Sequence, residues 1–299
     1  MQGRPLGAIL LSHAVWGSMP LYLLLVHKVP AIEYVAWRTL FTLPLCLLFV
    51  AVFDSAAELR EVLGDRRTLF TLMGSAALVA INWFMYVWAI QSGYVYAASL
   101  GYYILPLTMM VLGMIFLGER LNRLQWLAVA MATIGVATLA AGAITTLALS
   151  MAMALTFGLY GLLRKTVKAG SLVGLTVESM LLLPVVGAIL AWSHMSGPGL
   201  SIGREAVETA GIVMGGPMTA IPLILFAYAA RALPYTVIGF LQFISPTIVF
   251  LIGLFVFGEP LKPAQLACFV AIWIAAAIFV YDLFRRKRPV PQAAGEPVA

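Results

Sequence analysis

The chain has 299 residues, of which 63% are hydrophobic and only 10% charged, with a mean hydropathy of +1.01. A soluble domain cannot hide that much apolar surface, so the composition excludes an ordinary globular fold and indicates a membrane protein made of repeated runs of about 20 apolar residues. The formal net charge of +6 is not a nucleic-acid signature, because the basic residues lie between apolar runs, where they anchor loops at the membrane surface.

Ten helical spans are predicted, over approximately 5–26, 32–53, 69–91, 97–117, 121–141, 144–164, 171–192, 209–230, 234–257 and 261–283. The fold class expected is therefore an all-α polytopic membrane protein; the alternating pattern of a β-barrel is absent. The N-terminal stretch lacks a cleavage site of small residues, so the first run reads as a retained helix rather than a signal peptide. The turn at 141–144 is short, which makes the fifth and sixth spans neighbours. Prolines 20, 44, 106, 184, 217, 222 and 246 fall within spans and predict kinks, with Gly215-Gly216-Pro217 the expected break in the eighth span. Cys46 and Cys268 lie in separate apolar runs with no disulfide or metal spacing. From Arg285 on, the chain is basic and then rich in Pro and Ala, and it is expected to be a disordered tail.

Two stretches 140 residues apart share a pattern. Ile104-Leu105-Pro106, Gly113, Gly118-Glu119-Arg120-Leu121 and Gln125 are matched by Ile244-Ser245-Pro246, Gly253, Gly258-Glu259-Pro260-Leu261 and Gln265. Pro, Gly and Gly-Glu positions are not interchangeable with apolar filler, so the match predicts two five-helix repeats, 1–141 and 142–284, followed by the tail 285–299. An odd number of spans per repeat inverts the second copy, an architecture common among secondary transporters. With the N-terminus inside, fourteen basic residues fall on the cytoplasmic side (Arg4; Arg60, Arg66, Arg67; Arg120, Arg123; Arg164, Lys165, Lys168; Arg231; Arg285, Arg286, Lys287, Arg288). Three (Lys28, Arg204, Lys262) fall outside, and the bias places both termini in the cytoplasm. Each Gly-Glu reads as a helix end, with Gly in a C-terminal turn and Glu at the start of the next helix.

His13, Arg38 and Glu178 are the three ionisable side chains expected inside spans. Charge in hydrocarbon is costly and by default faces a cavity or the bundle interior. Arg38 and Glu178 are repeat partners (38 + 140 = 178). At about 1.5 Å rise per residue they sit roughly 11 Å apart along the membrane normal, so they pair directly only if both lean to the midplane. Arg38 suits a substrate carboxylate; Glu178 suits an amine or a proton. Aromatic and amide side chains complete the candidate substrate-binding set: Trp16, Asn82, Trp83, Tyr86, Tyr103, Tyr160 and Gln242. Such a lining suits a small amphipathic ligand, although Trp and Tyr also populate membrane interfaces, as expected of Trp88, Tyr94 and Tyr96.

No zincin, CxxC, nucleophile-elbow or phosphate-loop motif is present, so neither a catalytic site, a metal nor a cofactor is predicted. Several stretches resemble the EamA-type drug/metabolite transporters, and within them the RarD group. They include Trp16-Gly17 with Pro20, Asn82-Trp83, Ala98-Ser99-Leu100-Gly101-Tyr102, the run from Gly113 to Arg120, Gln125-Trp126-Leu127-Ala128-Val129 and Tyr160-Gly161-Leu162 with Arg164-Lys165. Glu178 with Leu182-Leu183-Pro184, Gly239-Phe240 with Gln242, and Ala271-Ile272-Trp273 extend the likeness along nearly the whole chain. The resemblance implies a bacterial inner-membrane permease, a monomer or homodimer with lipid and a small-molecule substrate as its partners. It further implies alternating access through a central cavity, and export of amino acids or amphipathic drugs. Relatives often carry an acid just before Ala98, where this chain has Ala97, so no role of that acid carries over. A channel or non-transporting sensor, and an integral membrane enzyme, are the rival classes.

Overall fold

A computed structural model describes residues 3–92, 94–141, 147–196, 199–258, 260–261 and 263–286. Among them are thirteen α-helices: α1 (Gly3–Gly17), α2 (Met19–Leu23), α3 (Ala31–Val52), α4 (Ala56–Gly64), α5 (Arg66–Gln91), α6 (Val95–Leu117), α7 (Arg123–Ala140), α8 (Leu147–Thr166), α9 (Ser171–Ser196), α10 (Ala206–Ala232), α11 (Tyr235–Leu241), α12 (Ile244–Phe255) and α13 (Pro263–Arg286). Among the described residues, nine spans are long and apolar enough to cross a membrane, with α11 and α12 together forming one of them, and a tenth is added if α1 and the bent segment after it count as one. The protein is an all-α polytopic membrane protein.

Local chemistry explains where the helices stop. Gly118 closes α6 in the left-handed region at φ +65°, which glycine adopts without strain. Asn122 then opens α7 with a reciprocal capping box: its side chain accepts from the Gln125 N–H, and the Gln125 side chain accepts from the Asn122 N–H. Gly258 has the same φ of +65°; Glu259, the acid expected to match Glu119, lies outside the described residues.

Two of the expected kinks are present, and one expected break is not. The first span is bent by 40° at Ser18, with Pro20 in the first turn of α2. The ninth is interrupted at Gln242–Phe243, just before Pro246, which has no N–H to give to the Gln242 carbonyl. The eighth span, where a break was predicted, is one continuous helix, α10, despite Gly215, Gly216, Pro217 and Pro222. Hydroxyl groups take up its carbonyls: Tyr22 donates to Gly211 O at 2.6 Å, Thr219 to Gly215 O at 2.7 Å and Ser12 to Pro222 O at 2.8 Å. Pro217 and Pro222 leave the Val213 and Met218 carbonyls without their i+4 donors, and the three hydroxyl bonds around them add ties to α1, to α2 and within the helix itself. A short helix between spans, α4, was not anticipated from hydropathy.

The bundle is built from a few close pairs. α6 packs on α8 and α11, α7 on α13, α5 on α8, α1 on α10, and α3 lies against both α9 and α10. The core where they meet holds Leu105, Met109, Tyr160, Phe226 and Tyr235. α3 and α10 approach most tightly at Gly216, where an added Cβ would stand 2.5 Å from the Phe41 carbonyl oxygen.

Gly216→Ala should therefore lower thermal stability in detergent by about 1–3 kcal/mol, the usual cost of overpacking. Gly187→Ala is the control, because its new methyl meets nothing within 4 Å; it should leave the melting temperature unchanged or slightly higher.

Candidate functional site

Two polar centres form inside the bundle. The first is built on Arg38, two turns into α3 and half-buried. Its Nε donates to Thr219 Oγ1 at 2.9 Å, and α10 lies close enough because residue 215 is Gly, whose added Cβ would stand 3.0 Å from Arg38 Cβ. The guanidinium sits over the Trp83 ring at 4.5 Å from its centroid and near Tyr34 at 5.9 Å, a cation–π arrangement that holds charge in an apolar setting. Tyr86 and Tyr102 pack edge to face at 5.5 Å and lie within electrostatic reach of Arg38. Neither Nη group of Arg38 has a hydrogen-bond partner among the described residues. The arrangement is a cation with two free Nη groups set among aromatic faces.

Other predicted residues do not join this chamber. Asn82 Nδ2 donates to Met153 O at 2.8 Å and to Thr156 Oγ1 at 3.1 Å, which ties α5 to α8. Tyr103 turns to α13 and packs against Phe269. Trp16 sits among His13, Phe157 and Phe226 at centroid distances of 5.6–5.8 Å. Gln242 is buried at the α11–α12 break, its Oε1 without a partner among the described residues.

Glu178 forms the second centre, with a partner the sequence did not indicate. Its Oε1 lies 3.6 Å from Arg164 Nε and accepts a hydrogen bond from Ser75, while Tyr160 stands beside both charges. Arg164 was assigned to a surface loop; it is fully buried at 0% exposure, with Glu178 at 1%. The guanidinium fits because residue 174 is Gly, where any side chain would overlap it. Its Nη2 donates to Gly170 O and Ser171 O at the start of α9. The expected total of three ionisable groups within the spans is too low for a further reason: Glu33, Glu208 and Asp282 are also buried. Glu33 accepts from Trp37 Nε1 and from the Ser201 N–H and hydroxyl.

A water-sized pocket of about 10 Å3 lies between α3, α5 and α9, lined by Thr39, Thr42, Trp83, Glu178 and Ser179 among others. Trp83 thus borders both centres. A larger cleft of about 1000 Å3 lies between α3 and α10, lined mainly by apolar residues such as Pro44, Leu48, Val213 and Pro217. None of the nine predicted residues lines it.

One end of the bundle is tied by charged side chains on backbone groups. Glu119, expected to start α7, instead accepts from the N–H groups of Tyr235 and Thr236 at 2.6 and 2.7 Å and caps α11. Lys165 donates to Ala230 O and Leu233 O, and Arg231 to Val167 O and Ala169 O. Glu58 of α4 accepts from the Gly170 N–H at 2.6 Å. At the other end Lys28 and Glu205 form an exposed pair at 2.9 Å, and Glu205 holds the Lys28 ammonium above its usual range by accepting its hydrogen bond.

The buried pair gives a prediction about stability. Arg164→Ala and Glu178→Ala should each destabilise by about 3–5 kcal/mol, because each strands the other charge, whereas Arg164→Met with Glu178→Met should cost far less than their sum. Unfolding of the purified variants in detergent measures the difference; additive losses would show that the two side chains do not interact.

Comparison with known proteins identifies the family. Residues 4–141 match the model of the EamA-like transporter family. An uncharacterized transporter of Pseudomonas aeruginosa is 39% identical over 286 residues, 95% of each chain. The RarD protein of Salmonella typhimurium is 36% identical, over 93% of this chain and 95% of its own. A solved crystal structure shares the fold, with a TM-score of 0.74 at 15% identity, covering 96% of this chain and all of the other. With apolar helices throughout and bacterial relatives alike from end to end, this multi-pass membrane protein belongs to the EamA-like drug/metabolite transporters, as a RarD-like permease.

Proposed function

We propose that this transporter carries small metabolites with a carboxylate and an apolar or aromatic body, such as amino acids or amphipathic drugs, by alternating access through the Arg38 chamber. The observation that carries the reading is Arg38 itself: a half-buried cation steadied by Thr219 and Trp83, with both Nη groups left over. A guanidinium with two parallel donors suits a carboxylate, and Trp83, Tyr86, Tyr102 and Tyr34 supply apolar faces for the rest of the ligand. Export is the direction implied by the likeness to metabolite exporters.

In the same reading the two halves are inverted repeats. The α5–α8 contact has its counterpart, 140 residues on, in α10–α1, and the left-handed glycines 118 and 258 correspond. The basic-residue bias supports an inner-membrane location with both termini in the cytoplasm. The end tied by Glu119, Lys165 and Arg231 is then cytoplasmic and closed.

Counterflow in proteoliposomes preloaded with aromatic amino acids, aliphatic amino acids or chloramphenicol tests the proposal. Saturable counterflow with one class is expected. Arg38→Ala should reduce it at least tenfold without loss of folded protein, and Arg38→Lys should restore it only in part, because an ammonium cannot offer the paired donors. Trp83→Leu should raise the half-saturating concentration by about 2- to 30-fold, equivalent to about 0.5–2 kcal/mol of cation–π stabilisation. Wild-type flux in Arg38→Ala would overturn the site.

A further inference from the structure

We propose that Glu178 is a proton-binding site, reached from the Arg38 chamber through one water lodged between Thr39, Thr42 and Ser179. Glu178 Oε1 is engaged by Ser75 and Arg164, whereas Oε2 is buried without a hydrogen bond of normal geometry among the described residues, with the equally unbonded Tyr160 hydroxyl beside the carboxylate. A buried carboxylate oxygen without a donor is an unmet demand. The pocket it borders has room for one water, and its lining hydroxyls supply the partners such a water needs. Trp83 closes the pocket and carries Arg38 on its ring, so the chamber and the carboxylate lie one side chain apart.

The step is a proton transfer alone. A proton from chamber water passes through the lodged water to Oε2; one O–H bond forms as another breaks, and the pair changes from neutral to a net charge of +1. Arg164 then keeps only the Gly170 and Ser171 carbonyls. A dry guanidinium without a counter-charge is strongly disfavoured, so the proton favours an arrangement in which Arg164 meets water and the α8–α9 contact loosens. The ionisable groups facing Glu178 are Arg164 and Tyr160 from α8 and Cys46 from α3. α5 presents Ser75; Glu58 of α4 and Arg231 of α10 stand further along, bonded to backbone around the entrance of α9. Coupling of this proton to substrate movement rests on the carrier reading above; its binding does not.

The test is infrared difference spectroscopy on the full chain in lipid vesicles, perfused between alkaline and acidic buffer, with the proton as the probe. A protonated-carboxyl band should appear on acidification, shift in heavy water and be missing from Glu178→Gln, while Glu33→Gln retains it. Ser75→Ala keeps the carboxyl but removes its donor, so the band should remain and change frequency. Absence of any such band, or its persistence unchanged in folded Glu178→Gln, overturns the proposal. If Glu178→Gln does not fold, Ser75→Ala decides, and an unmoved band assigns the proton elsewhere. No substrate enters these measurements, so failed counterflow with the band present sinks the carrier reading alone, and counterflow without the band sinks the proton site alone.

Discussion

Hydrocarbon offers no hydrogen-bond partner, and every end, kink and break of a helix within it bares backbone groups that need one. That constraint governs where this chain places its few polar side chains. Around the two prolines of the continuous helix α10, Tyr22 and Ser12 from neighbouring helices and Thr219 from its own turn donate to its carbonyls. α11 begins inside the bundle because Glu119 meets its first N–H groups. The turn into α9 is held by Arg164, Arg231 and Glu58, all acting on main-chain atoms. Glycines at 174, 215 and 216 complement this by bringing backbone within reach of those side chains.

The same constraint separates architecture from function. Lys165, Arg231 and Glu119 have their capacity taken up by helix ends. Arg38 keeps both Nη groups in reserve and Glu178 keeps one carboxylate oxygen. Residual hydrogen-bonding capacity in a buried charge is what a ligand can use, and Arg164, whose Nε and Nη1 have no hydrogen-bond partner among the described residues, shares it beside Glu178. Glu33, as deeply buried, has bonds to both carboxylate oxygens.

Much of this was legible in the sequence. Runs of apolar residues gave the spans to within four residues at each end, and the Gly-Glu signal marked the end of α6. The Arg38–Trp83 pairing was foreshadowed only as membership in one set. Arg164 was missed because it adjoins Lys165 at a helix end and was counted with it as a loop anchor. Helical geometry held the missing signal: residues 157, 160, 161 and 164 share one face of α8, and that face is aromatic and small, whereas Lys165 points away. The continuity of α10 through Pro217 and Pro222 was not legible, nor was its bond to a hydroxyl 210 residues distant in sequence. Glu119 was read against the next helix when its partner lay 116 residues on. Local pattern states what a residue demands; only the fold states who answers.

Trp83 stands with Arg38 on its ring and the small polar pocket at its edge. An indole in that position is optically sensitive to the charge against it. The chain thus carries a native fluorophore at the junction of its two polar centres, and a displaced guanidinium or a change of hydration there alters its emission without any dye. Seven tryptophans share the chain, so the signal is isolated by difference against a Trp83→Phe protein, and the molecule reports on its own interior in real time.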